Sequence, residues 1–80
     1  MPRYVILIEK GEHNYSAYVP DVDGCVTTGA TIEETIRNMK EALEGHFELM
    51  QLDGDPLPEP TIIAAEVDVD YPPTPPVVQP

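Results

Sequence analysis

The sequence predicts an α+β fold of order β-β-β-α-β. The expected architecture is a four-stranded mixed sheet, spatial order 3-2-1-4, with one helix packed on one face. Three observations carry this expectation. Short apolar or alternating segments separated by turn residues occupy positions 4–28. An amphipathic stretch follows a helix-start signature at Thr31. A second alternating segment, 62–69, comes after a proline-rich connector.

The first strand is read at 4–8, Tyr-Val-Ile-Leu-Ile, which is apolar on both faces and so suits a central position. Gly11 and Asn14 supply turn chemistry after it. The second strand is 15–19, with Tyr15, Ala17 and Val19 on one face and Ser16 and Tyr18 on the other. Pro20 has no amide hydrogen to donate, so pairing lapses there. The third strand is 25–28, and Gly29 closes it.

Thr31 then reads as a helix N-cap, with Glu34 three residues on completing a capping box. Glu33 and Glu34 lie in the first turn, where the macrodipole favours acids. Ile32, Ile36, Met39, Leu43, Phe47 and Met50 follow at steps of three or four and define one apolar face to about Leu52. If all six were fully buried they would contribute roughly 10 kcal/mol before entropy. Glu33 with Arg37 and Lys40 with Glu44 are expected i,i+4 pairs on the wet side. Asp53-Gly54 ends the helix. The connector 55–60, Asp-Pro-Leu-Pro-Glu-Pro, is stiff and extended. In the fourth strand Ile63, Ala65, Val67 and Val69 share one face, and Glu66, Asp68 and Asp70 the other. The domain is placed at 1–70 and a proline-rich tail at 71–80.

Eighty residues support one small domain, which buries only roughly 60% of its unfolded surface. A single cysteine forms no internal disulfide, and two histidines do not suggest a structural zinc site. One helix covers one sheet face, so a second copy is expected to complete the core as a dimer or tetramer. The start of the chain lacks a signal-peptide pattern, and no apolar run approaches the roughly 20 residues of a membrane span. A soluble, cytoplasmic protein is expected.

Charge narrows the partners. Fifteen acids face four bases, a formal net charge of −11, and positions 41–80 hold nine acids and no Lys or Arg. Such a chain repels nucleic-acid phosphates and anionic membranes. A basic protein is the matching partner, while acidity that merely confers solubility is the plainer reading of the charge.

The corner 19–25, Val-Pro-Asp-Val-Asp-Gly-Cys, invites a chemical reading and does not sustain one. Asp21 and Asp23 supply two ligands where a calcium loop needs more, so they read as turn residues. Cys25 has no adjacent cation to lower its thiol pKa and reads as a small apolar residue. His46 reads as a half-buried helix residue, and His13 as a wet turn residue. No metal and no cofactor is expected.

The pieces Tyr18-x-Pro20-Asp21, Gly24-Cys25, Gly29-x-Thr31-x-Glu33-Glu34 and Gly54-x-Pro56-x-Pro58, in this order, resemble the HicB antitoxin family over about residues 3–70. The resemblance implies a partial RNase H-like domain that has lost nuclease chemistry. It also implies binding to HicA, a small basic RNA-cleaving toxin. Many members add a C-terminal DNA-binding module; no helix-forming segment follows Val69 here, so direct nucleic-acid binding by this chain is not expected. The toxin-facing residues are placed at Glu41, Glu44, Glu48, Asp53 and Asp55. The motif residues Tyr18, Pro20, Asp21, Gly24, Cys25, Gly29, Thr31 and Glu34 are assigned structural roles. Two other classes stand beside this one. One is an orphan oligomeric module without a toxin. The other is a residual metal-dependent nuclease using Glu9, Glu44 or Glu48, and Asp68 or Asp70, which lacks nearby bases to hold phosphates.

Overall fold

The computed structural model describes residues 2–73. Three strands, β1 (Leu7–Lys10), β2 (Tyr15–Tyr18) and β3 (Val26–Gly29), precede one helix, α1 (Ile32–Leu52). They form an antiparallel sheet in the order β1-β2-β3.

Pro20 sets where the β1–β2 ladder ends. The register pairs Leu7 with Tyr18 and Lys10 with Tyr15. Continued by two steps, it would bring Val5 opposite Pro20, which donates no hydrogen bond. The ladder therefore stops at Leu7. The paired strand runs 7–10 rather than the expected 4–8, and residues 4–6 continue its line without ladder partners. At the other end the turn closes through the Gly11 amide donating to the Asn14 carbonyl at 2.7 Å.

The helix begins and ends where the sequence places it. Thr31 is extended (φ −132°, ψ 165°), and its hydroxyl accepts from the Glu34 amide at 3.0 Å. The Glu34 carboxylate accepts from the amide of Ala30 at 3.3 Å, one residue before the amide of an ordinary capping box. The last carbonyls accept from the amides of Asp53, Gly54 and Asp55. Gly29 lets the helix start pack directly on β3. A Cβ there would lie 2.7 Å from the Thr35 nitrogen and 2.9 Å from its Cα.

The core is small: Ala17, Val19, Val22, Cys25 and Met39, flanked by half-buried Tyr4, Ile6, Ile8, Ala42, Leu43 and Phe47. Tyr4 and Phe47 rings tilt against each other with centroids 5.3 Å apart. Of the six apolar helix residues only Met39 is fully buried, at 1% exposure, and Ile32 and Ile36 are exposed. The helix thus buries less than its periodicity suggested.

The expected fourth strand is absent, and with it the mixed sheet and the order 3-2-1-4. Residues 61–73 carry no regular structure and are all exposed. Ile63, Val67 and Val69 are 89%, 83% and 72% exposed. The physical reason is where the chain is tied. The Tyr4 hydroxyl donates to the Pro58 carbonyl at 2.5 Å, and Asp21 accepts from Thr61 and Ile62. The connector is thereby tied to Tyr4 and then to the 19–25 corner, and the residues after it make no ladder with β1. Residues 74–80 of the predicted tail lie outside the described residues.

Candidate functional site

Two surfaces gather the residues singled out by the sequence. The first is the wet side of α1. Glu41, Glu44 and Glu48 stand three and four residues apart, so at 100° per residue they form one stripe, about opposite Met39. All three are exposed. Glu44 accepts from the Lys40 ammonium at 2.7 Å, an exposed i,i+4 pair. The expected Glu33–Arg37 pair does not form among the described residues. Asp53 caps the helix C-terminus and Asp55 follows it, both exposed, extending the acidic surface beyond the helix end.

Beside this stripe runs a groove of about 510 Å³, lined mainly by Tyr4, Ile6, Ile36, Leu43 and Phe47, with Lys40 and Glu44 at its border. It exists because α1 packs on β3 and β2 while β1 and the line of residues 2–6 are left uncovered at their outer side.

The second surface is the 19–25 corner. It is two successive turns, with Val22 donating to the Val19 carbonyl at 3.1 Å and Cys25 to the Val22 carbonyl at 3.4 Å. Gly24 takes φ +76°, a conformation that a side chain resists. Val22, between the two aspartates, is buried, and Cys25 sits beneath it with its sulfur 3.8 Å from that of Met39. Burial pushes the Cys25 thiol above its ordinary 9.0, so a reactive thiolate is disfavoured. Pro20 is half-buried, and Tyr18 projects on the open sheet face beside Leu7 and Val26.

Asp21 does more than shape a turn. Its carboxylate accepts from the Thr61 hydroxyl at 2.6 Å, the Thr61 amide at 2.9 Å and the Ile62 amide at 3.2 Å. The Thr61 hydroxyl first, then the Thr61 and Ile62 amides, hold the carboxyl below its ordinary 3.8. A carboxyl whose pKa is lowered by folding contributes stability above its ordinary value and loses it as pH falls through the lowered one. Acidification through the lowered pKa, which lies under 3.8, therefore releases residues 61–62. In wild-type protein the Thr61 amide is protected relative to its intrinsic exchange rate at neutral pH and loses that protection as the carboxylate protonates. In Asp21→Ala it has no such protection at any pH. Sequence reasoning missed this clamp because its partners lie 40 residues apart with no spacing to mark them.

The carboxylates considered for metal chemistry are not brought together. Among the described residues, no group of three or more His, Cys, Asp or Glu is placed to hold a metal ion. His46 is half-buried beside Phe47, and no described helix is long and apolar enough to cross a membrane.

Comparison with known proteins places this architecture. A family model described as HicB_like antitoxin of bacterial toxin-antitoxin system matches residues 4–72. A chain in the solved structure of a HicA3 and HicB3 toxin-antitoxin complex superposes with a TM-score of 0.65 at 37% identity, over 75% of this chain and 70% of that one. A UPF0150 protein of Synechocystis is 33% identical over 67 residues, 82% of this chain and 85% of its own. An uncharacterised 14.9 kDa protein of Haemophilus phage HP1 is 45% identical over 56 residues, 70% of this chain. This chain spans only 42% of the phage protein's length.

Proposed function

We propose, from the premise that this chain belongs to the HicB-like antitoxin family of bacterial toxin-antitoxin systems, that it acts as a non-enzymatic antitoxin. Its partner is a small basic RNA-cleaving toxin of the HicA kind, and the encounter takes place in the cytoplasm. The carrying observation is the stripe Glu41, Glu44 and Glu48, exposed on the helix side away from the core and continued by Asp53 and Asp55.

The mechanism is competitive cover. A ribonuclease surface that holds RNA phosphates is lined with cations, and a rigid row of carboxylates presents the same charge as the phosphate backbone. A helix supplies the row at fixed spacing, so less side-chain order is lost on binding than from a loop. Opposite fields also speed the encounter and orient it. The chain itself does no bond-breaking chemistry in this reading. A homo-oligomer belongs to the same reading, because the half-open core leaves apolar surface for a second copy.

Calorimetric titration against the small basic product of the adjoining gene tests this. Wild-type chain binds, and Glu44→Lys/Glu48→Lys binds at least about tenfold more weakly, with the difference shrinking as salt rises. Both glutamates are exposed, so circular dichroism of the variant matches wild type. Unchanged binding by the charge-reversed chain removes the acidic stripe as the docking surface.

A further inference from the structure

Residues 62–71 carry no regular structure and alternate apolar with mostly acidic positions, and among the described residues nothing covers them. Ile63, Val67 and Val69 stand on the apolar edge, Glu66, Asp68 and Asp70 on the other, and all are exposed. An alternating segment of this kind is stable when its apolar edge faces a core and its backbone joins a ladder.

The same molecule carries the complementary surface. Among the described residues β1 is hydrogen-bonded on one side only, to β2. Beyond its free edge lies the groove lined by Tyr4, Ile6, Ile36, Leu43 and Phe47. Tyr4 and Ile6 share the face of Ile8, which pairs with buried Ala17 beneath the helix. A strand laid on the β1 edge would thus turn one set of alternate residues into the groove and the other set to the open face. Arg3, at the start of the β1 line, has the parity of Leu7, on the open face to which the acids of the segment would turn.

The segment does not cover its own groove: Asp21 holds Thr61 and Ile62 at the 19–25 corner, and residues 63–71 beyond it are exposed. A second copy carries the same groove without that restriction.

We propose that residues 62–71 form an exchanged strand that adds to the β1 edge of a second copy. Ile63, Val67 and Val69 fill that copy's groove, and the partner returns its own segment in a two-fold dimer. The inference deepens the homo-oligomer reading above and is independent of toxin binding. It explains why the helix face is half open at Ile36 and Leu43, and why the sequence encodes a fourth strand that one chain does not form.

Sedimentation of the full-length chain, paired with isotope-filtered NMR on a mixture of labelled and unlabelled chains, tests the proposal. The expected results are a dimer and cross-chain contacts between the Val67 methyls and the Tyr4 or Phe47 rings. Val67→Asp weakens the dimer by at least about 100-fold, since two symmetry-related valines leave the apolar groove. Val67 is 83% exposed in the single chain, so the helical signal of the variant is unchanged. A dimer that survives Val67→Asp overturns the exchanged strand and leaves the oligomer on another surface, such as the Leu7, Tyr18 and Val26 row. A monomer at every concentration overturns both readings. Contacts found only within one chain, or a segment that orders only when a basic protein is added, overturn the exchange as well.

Discussion

Met39→Ala lowers the free energy of unfolding by about 2–5 kcal/mol, the range for removing a large buried side chain and leaving a cavity. Met39 is 1% exposed and belongs to a core completed by Ala17, Val19, Val22 and Cys25, with Leu43 and Phe47 at its border. No other large apolar side chain is fully buried among the described residues, so no neighbour of equal size can settle into the space. A domain of this length has a total stability of roughly 4–12 kcal/mol. The substitution therefore removes a large share of it. Urea denaturation at a fixed chain concentration reads the effect, the concentration being held because association adds to apparent stability. Met39→Leu, which keeps most of the volume, costs less than about 1.5 kcal/mol. Equal losses from the two substitutions would show that packing at this point is not what holds helix to sheet.

Gly29→Ala has the second largest effect, a loss of about 1–3 kcal/mol from overpacking. The added methyl carbon would approach the Thr35 hydroxyl, the Thr35 nitrogen at 2.7 Å and the Thr35 Cα at 2.9 Å. That hydroxyl is itself fixed, donating to the Thr31 carbonyl at 2.7 Å. The first turn of α1 must move off β3 to make room, and the N-cap geometry at Thr31 moves with it. The double variant Gly29→Ala/Thr35→Ala separates the sources of strain. It regains little stability, because the backbone atoms of Thr35 remain in the way. Full recovery would place the whole clash at the hydroxyl and leave the helix start free to adjust.

Local signals in the sequence were sufficient for the helix. Thr31, Glu34 and Asp53-Gly54 are contacts within a few residues, and the structure places the helix between them. The β1–β2 and β2–β3 pairings were legible for the same reason, since short turns join neighbours. Pro20 was read as a break in β2, and it also shortens β1, because the two strands share one register. What was not legible is long-range. The alternation at 62–69 reads as a strand, yet no ladder forms there, because alternation alone does not show whether an edge is within reach. The Asp21 to Thr61 clamp and the burial of Val22 depend on where distant segments meet. The acidic stripe was legible as a stripe, since helical period alone aligns Glu41, Glu44 and Glu48. Helical period also sets it opposite Met39; what the structure adds is that Met39 alone of the helix's apolar face is fully buried. Ile36 and Leu43 have the same periodicity and line the groove with Met39, but stay only partly covered.

A titration of RNA cleavage reads antitoxin action itself. A small basic toxin of the HicA kind is held at constant concentration with an RNA substrate, and the purified chain is added stepwise. Cleavage is expected to fall linearly and to end near one chain per toxin, with no cleavage by the chain alone. Cleavage that continues undiminished at a large excess of folded chain would contradict it.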